Sequence, residues 1–172
     1  MNKSIMLIGL PGSGKSYFCN KLKYILNKEI IDLDKIIIDD IGSLHDYINK
    51  HGVEKFTNKE YNICSKILDN YNNNIISPGG SIVYYDDIMS KLKKQTDIII
   101  IFLNVSLNEV LKRTNNFENR GVVLDNTISK YESYKKMYKE RLILYKNYCH
   151  YEICGDNIKL NEILSIYYNH MS

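Results

Sequence analysis

The sequence predicts an α/β fold of three layers, in which a five-stranded parallel sheet lies between helices. Short apolar runs without polar alternation are typical of strands buried on both faces, and here they alternate with segments whose apolar residues recur at helical spacing. Such alternation favours a parallel sheet, and right-handed crossovers place helices on both of its faces. The 172 residues are predicted to form one domain with a sizeable core.

Five apolar segments are predicted to be strands: residues 4–9, 29–33, 74–77, 97–103 and 151–154. The run DIIIIFL at 97–103 is the clearest, because it is apolar throughout and has the length of a buried strand. The second strand ends at Asp32-Leu33-Asp34, and the third is followed by Pro78-Gly79-Gly80.

The segments between the strands are predicted to be helical: residues 15–26, 35–71 with a break near 51–52, 86–94, 106–113, 128–148 and 158–168. Ser106 can cap its helix, with Glu109 three residues on in the spacing of a capping box. Residues 115–127 are polar and show little periodicity, which predicts a mobile loop.

The composition and charge of the chain argue against several kinds of binding partner. The formal charge is +3 and no long basic run occurs, so we expect no nucleic-acid partner. No segment has the length of an apolar membrane span, and the scattered cysteines and histidines lack metal-ligand spacing. We therefore expect a cytoplasmic protein with reduced thiols and no membrane association, and we expect it to be a monomer.

Residues 9–16, GLPGSGKS, match the phosphate-loop pattern G-x-x-x-x-G-K-[ST] in full. The glycines let successive backbone N–H groups point at phosphate oxygens, and the following helix adds the positive end of its dipole. Lys15 is placed to reach the β- and γ-phosphates of ATP, and Ser16 to bind Mg²⁺. The predicted ATP-binding residues are Pro11, Gly12, Ser13, Gly14, Lys15, Ser16, Tyr17, Arg113 and Arg120.

Other notable residues also follow strands, and ligands bind at the carboxyl ends of strands in such sheets. Asp32 and Asp34, two residues apart in an extended segment, would point the same way toward the phosphate loop. One could hold Mg²⁺ through water, and the other could orient or accept a proton from a hydroxyl group. A simple helix cap is the alternative interpretation.

A phosphate loop indicates nucleotide binding and does not say how the nucleotide is used. The N-K-x-D segment with which GTPases recognise guanine is not visible, and the chain is compact. A small-molecule kinase therefore fits better than a GTPase, a motor or a transporter.

Seven segments span nearly the whole chain: GLPGSGKS, IIDLDKII, GVEKFTNKE, SPGGSIV, DIIIIFLNVSLNEVLKR, NRGVV and ERLILY. In these segments the chain resembles the shikimate kinase family. The resemblance implies a P-loop kinase fold, with a helical substrate-binding segment at about 35–62 and a lid at about 115–127. It also implies that ATP, with Mg²⁺, phosphorylates a hydroxyl group of shikimate.

The resemblance implies a role for each matching residue. Asp32 would serve Mg²⁺, Asp34 would bind the substrate hydroxyls, and Gly79 and Gly80 would approach the substrate through backbone N–H groups. Arg120 would be the lid arginine that clamps the transferring phosphate. Arg141 would bind the substrate carboxylate, and Arg113 would lie against the adenine.

The residues support the arginine assignments independently but leave alternatives open. An arginine in a lid can stabilise developing phosphoryl charge, and a solvated loop charge is the alternative interpretation of Arg120. Arg141 suits a carboxylate partner, which could also be a structural one beside Glu140. Arg113, at a helix end, could simply interact with the helix dipole.

Three departures from the family pattern concern the acceptor side. Val53 and Thr57 stand where the family has glutamate and arginine, so half of a two-arginine clamp on the substrate carboxylate is missing. Ser81 follows the two glycines, and Gly121 follows Arg120 in place of proline. Lys55 or Lys59 could supply the missing charge.

The predicted reaction is in-line transfer of the γ-phosphoryl group of MgATP to a hydroxyl of a small acidic metabolite, with shikimate as the leading acceptor. Lys15, Asp34 and Arg120 are the predicted catalytic residues. One alternative is a P-loop kinase for another acceptor, such as a gluconate-like sugar acid or a nucleotide. The other is a nucleotide-binding module without catalysis.

Overall fold

The computed structural model describes residues 3–114 and 127–171. The strands are β1 Ser4–Ile8, β2 Ile30–Asp32, β3 Ile75–Ser77, β4 Ile98–Asn104 and β5 Tyr151–Cys154. The helices are α1 Lys15–Leu26, α2 Leu33–Ile41, α3 Leu44–His51, α4 Val53–Leu68, α5 Asp86–Lys93, α6 Leu107–Arg113, α7 Lys130–Tyr148 and α8 Leu160–Met171. A short 3-10 helix, Ile82–Tyr84, lies between β3 and α5.

The strands pair in parallel in the order β2-β3-β1-β4-β5, as expected for an α/β fold. Every residue of β1 is buried, and so are the first six residues of β4, because helices cover both faces of the sheet at its centre. This confirms the predicted fold class, including the number of strands.

Side chains of alternate strand residues supply two separate halves of the core. Ile5 and Leu7 pack on the side of α1 and α8, whereas Met6 and Ile8 pack on the side that includes α2, α4, α5 and α7. Because neighbouring strand residues point to opposite faces, one apolar run stabilises both layers. None of the helices within residues 3–114 and 127–171 is long and apolar enough to cross a membrane.

The order of the strands brings three loops together. β2, β3 and β1 are neighbours, so their carboxyl ends open onto one rim of the sheet. That rim carries Asp32, the turn that begins at Pro78, and the phosphate loop.

Several element boundaries differ from the sequence prediction, and two of the differences concern the segment after β2. The helical stretch after β2 is interrupted at Gly42-Ser43 as well as at Gly52, because Ser43 caps a new helix by accepting a hydrogen bond from the N–H group of Asp46. In addition, β2 ends at Asp32 and α2 begins at the next residue, so Asp34 is helical.

Candidate active site

The phosphate loop joins β1, the central strand, to α1. Lys15, the first residue of α1, is only 8% exposed, and its ammonium donates to the backbone oxygens of Gly9 at 2.8 Å and Leu10 at 3.1 Å. Ser16 is exposed beside it. A lysine, an exposed hydroxyl and the positive end of a helix therefore meet at this loop, which is an arrangement suited to phosphate.

A cavity of about 310 Å³ opens next to the loop. It is lined by residues 12–14, Tyr17, Phe18, Arg113 and residues 156–158. Nε of Arg113 donates to Oε1 of Glu109 at 2.9 Å, and Nη2 donates to the backbone oxygen of Asp156. The cavity is of a size that small-molecule sites have, and Arg113 forms one wall of it.

Asp32 and Asp34 do not lie in one extended segment, and that part of the sequence prediction is wrong. Asp32 caps α2, with Oδ1 accepting from the N–H group of Lys35 at 3.1 Å, and Asp34 lies in the first turn of the same helix. The capping interpretation therefore holds for one oxygen of Asp32. Both carboxylates still lie at the rim, since Asp32 and Lys15 each act electrostatically on Asp34.

The surroundings of Asp34 raise its pKa above the ordinary value of 3.8. Desolvation is the largest cause, because protein atoms crowd around the carboxylate group although Asp34 as a residue is exposed. The Lys15 charge opposes this rise in pKa, while Asp32 and Glu60 add to it. A carboxylate with a raised pKa is a better proton acceptor than an ordinary surface aspartate.

The turn after β3 brings Asp34 and Arg141 together through two glycines. A methyl group on Gly79 would clash with Oδ1 of Asp34, and one on Gly80 would lie 2.9 Å from Nη1 of Arg141 and 3.1 Å from Cδ of Pro11. With an alanine at either position, these side chains would have to move away from the turn. Residues from the turn after β3, from α2, from α7 and from the phosphate loop thus meet at one point.

Gly79→Ala tests the predicted catalytic role of Asp34: kcat is expected to fall by up to about a hundredfold, since a displacement of about 1 Å in a catalytic group can have an effect of that size. Steady-state kinetics at saturating ATP check it. The same substitution in an Asp34→Ala background should change kcat less than about twofold, because the displaced carboxylate is gone. Equal losses in both backgrounds would show that the methyl group acts through another contact.

Arg141 occupies the buried side of α7 and is 8% exposed. Tyr145, one turn further on, donates its hydroxyl to the backbone oxygen of Gly80 at 2.8 Å, which holds α7 against the turn. Within the described parts of the chain Arg141 forms no ion pair with a carboxylate, so the alternative of a structural pair with Glu140 is not observed. A buried guanidinium of this kind suits an anionic ligand.

Glu60, a buried carboxylate on α4, was missed by the sequence reasoning. Its Oε1 accepts from the hydroxyl of Ser81 and its Oε2 accepts from the hydroxyl of Tyr85, both at 2.6 Å. Ser81, which departs from the family pattern, therefore ties the glycine turn to α4.

Position 57 supplies no charge to the site. Thr57 is exposed and its hydroxyl donates to the backbone oxygen of Val53 at 3.0 Å. Lys59 is paired with Asp40 at 2.7 Å, so it does not take the place of the missing arginine, and Lys55 is exposed. Arg120 and almost all of the predicted lid at 115–127 lie outside the described residues.

Two signals in the sequence could have strengthened the choice of site residues. Only three of the 23 basic residues (Lys and Arg) are arginines, namely Arg113, Arg120 and Arg141. A chain that otherwise uses lysine thus has arginine at the three positions where the sequence predicts a contact with a ligand. Arg141 also interrupts the buried spacing of Met137 and Tyr145 on α7, where an apolar residue would be expected.

The parallel sheet and the phosphate loop between β1 and α1 define the class of protein, a P-loop nucleotide-binding protein of the α/β type. The family model for shikimate kinase matches residues 11–171. The chain belongs to the shikimate kinase family, and ATP-dependent phosphorylation of shikimate is the expected activity of that family.

Individual relatives agree with this assignment. A shikimate kinase of Clostridium botulinum (strain ATCC 19397 / Type A) is 32% identical over 160 residues, which cover 91% of this chain and 90% of that protein. Shikimate kinase from Acinetobacter baumannii in complex with shikimate has a TM-score of 0.84 at 22% identity, covering 97% of this chain and 93% of that one. Deoxyadenosine kinase from M. mycoides with bound dATP shares the fold less closely, with a TM-score of 0.64 at 20% identity, covering 99% and 100%. The predicted family, fold and kinase class are confirmed.

Proposed function

We propose that this protein transfers the γ-phosphoryl group of MgATP to a hydroxyl group of shikimate. The observation that carries the proposal is the meeting of Asp34, the Gly79-Gly80 turn and Arg141 at the rim that holds Lys15. A proton acceptor, a close backbone approach and a guanidinium thus face the phosphate loop together. These groups match a small acceptor that carries a hydroxyl and a carboxylate.

In the proposed reaction the acceptor oxygen bonds to the γ-phosphorus while the bond from that phosphorus to the β–γ bridging oxygen breaks. Asp34 orients the hydroxyl and takes its proton, and the raised pKa of Asp34 suits that role. Lys15 and the backbone N–H groups of the loop hold the phosphate charge, so that catalysis rests on positioning and electrostatics.

Mg²⁺ would be held by the Ser16 hydroxyl and, through water, by Asp32. The donors fit this ion, because Ser16 is exposed at the start of α1 and Asp32 uses only one oxygen as a helix cap. Mg²⁺ prefers hard oxygen ligands and keeps several waters. When bound it neutralises charge on the β- and γ-phosphates.

The remaining assignments are part of the same proposal. Arg141 binds the acceptor carboxylate, Arg113 lies against the adenine, and the segment at about 35–62 encloses the acceptor. Residues 115–127 act as the lid that brings Arg120 to the transferring phosphate. The protein works as a cytoplasmic monomer, without nucleic-acid or membrane partners.

A different hydroxy acid as acceptor is the second candidate, and Thr57 favours it. Because position 57 carries an exposed threonine, the acceptor side of the described structure has one arginine, Arg141. Loss of one buried charged contact commonly weakens binding by about 2 to 5 kcal/mol, so an acceptor that needs only one guanidinium is a reasonable rival.

The test is ADP release by the purified full chain with shikimate, gluconate or deoxyadenosine, followed by mass spectrometry of the product. We expect ATP-dependent phosphorylation of shikimate with the highest kcat/KM. Asp34→Asn, purified identically, controls for host kinases. Activity confined to another acceptor would replace shikimate, and ATP binding without transfer to any of them would overturn the proposal.

A further inference from the structure

Tyr84 makes a contact with Arg141 that the proposed reaction does not use. Nε of Arg141 donates to the Tyr84 hydroxyl at 3.3 Å, and the guanidinium carbon lies 5.1 Å from the centre of the Tyr84 ring. Tyr84 ends the 3-10 helix that follows the glycine turn, and 47% of it is exposed. The tyrosine therefore lies between the buried arginine and solvent.

The backbone that carries Tyr84 is fixed on both sides. Ile82 and Val83 are buried in the core, and Ser81 is tied to Glu60. The N–H group of Tyr84 also donates to the backbone oxygen of Ser81 at 2.9 Å. Because the backbone at Tyr84 is held in place, the positions open to its ring are restricted. The ring can therefore define where the guanidinium of Arg141 lies.

The contact selects one edge of the guanidinium. A carboxylate can bind an arginine through Nε and Nη2, or through the two terminal nitrogens. Tyr84 engages Nε, so a carboxylate would meet Nη1 and Nη2, of which Nη1 lies close to Gly80. The Tyr145 hydroxyl also bonds to the guanidinium. The ring face also attracts the cation within the distance at which such contacts are favourable.

We propose that Tyr84 is a positioning residue, which holds Arg141 so that its two terminal nitrogens face the carboxylate of the acceptor. This inference rests on the proposed function for the identity of the acceptor. It assigns to Tyr84 part of the task of orienting the carboxylate in a site where position 57 carries no arginine.

The positioning itself is tested without substrate, by hydrogen exchange of arginine Nε–H groups in nitrogen-15 NMR spectra. The chain has three arginines, so three signals are expected, and Arg141→Lys identifies one by its loss. In Tyr84→Phe the Arg141 signal should exchange about threefold to tenfold faster, because its acceptor is removed. Arg113, bonded to Glu109, is the internal reference. Unchanged exchange at Arg141 would overturn the proposal.

The consequence for binding is tested by kinetics with shikimate. Tyr84→Leu should raise KM for shikimate about fivefold to fiftyfold, and Tyr84→Phe, which keeps the ring, about threefold, with kcat and KM for ATP within about twofold. In an Arg141→Lys background both effects should largely vanish. Tyr168→Leu, a similarly exposed tyrosine on α8, is the matched control.

The two proposals fail in different ways. A loss in kcat alone, or an equal effect in the Arg141→Lys background, would overturn the role of Tyr84 in an active kinase. A wild-type protein that does not phosphorylate shikimate would overturn the proposed acceptor, and the exchange experiment would still decide whether Tyr84 holds Arg141.

Discussion

Replacing Asp34 by asparagine is expected to lower kcat by about two to four orders of magnitude while making the folded protein more stable at neutral pH. Activity falls because the amide does not take the proton of the acceptor hydroxyl. Stability rises because the pKa of Asp34 is raised by desolvation, so the ionised carboxylate is less favourable in the folded protein than in the unfolded chain.

The pH dependence gives the sign of this effect. The folded protein binds a proton on Asp34 more tightly than the unfolded chain, whose carboxyl has a pKa near 3.8. The stabilisation of the folded protein by proton binding to Asp34 is fully present below pH 3.8 and is lost as the pH rises through the folded-state pKa of Asp34. The stability advantage of Asp34→Asn should therefore appear above that folded-state pKa and disappear as the pH falls toward 3.8.

Chemical unfolding across this pH range measures the stability difference, and the acid limb of kcat/KM in the wild type reports the same group. Asp39→Asn is the matched control, since Asp39 is an exposed carboxylate on the same helix. Retained turnover in Asp34→Asn would contradict the proposed role of the carboxylate as proton acceptor. Stability equal to that of Asp39→Asn would contradict the effect of desolvation.

The features that could be predicted from the sequence depend on local spacing. The strand at 97–103 is apolar throughout, and the phosphate loop needs fixed residues at fixed positions between a strand and a helix. Both signals lie within about ten residues, where chain geometry decides the outcome. The position of the strand ends at one rim then follows from the rules for parallel sheets.

The features that were missed depend on contacts between distant residues. Glu60 is bonded by Ser81 and Tyr85, which are 21 and 25 positions away, and the motif segments that contain Glu60 and Ser81 do not show that contact. The error about Asp34 has a local cause. Asp32 both ends a strand and caps a helix, so the extended backbone stops at Asp32 and Asp34 already lies in the helix. Acceptor-side details were therefore harder to predict than the nucleotide side.

Arg141→Met is expected to raise KM for shikimate by about 30-fold to several thousandfold, which corresponds to the roughly 2 to 5 kcal/mol of a buried charged contact. KM for ATP should change little, because the phosphate loop and the cavity beside it do not depend on α7 for their charge. Arg141→Lys keeps the charge and loses the planar fork, so an intermediate KM is expected.

The same substitution distinguishes a binding role from a structural one. Arg141 is buried on the apolar side of α7 without a carboxylate partner among the described residues, so an apolar side chain of similar length should leave the free energy of unfolding unchanged or raise it. Lys139→Met removes one exposed charge two residues earlier on the same helix and should change neither KM nor stability appreciably. If Arg141→Met instead destabilises the fold strongly with an unchanged KM for shikimate, the guanidinium is structural. A large rise in KM with preserved stability means that the arginine is kept in the core for the acceptor carboxylate.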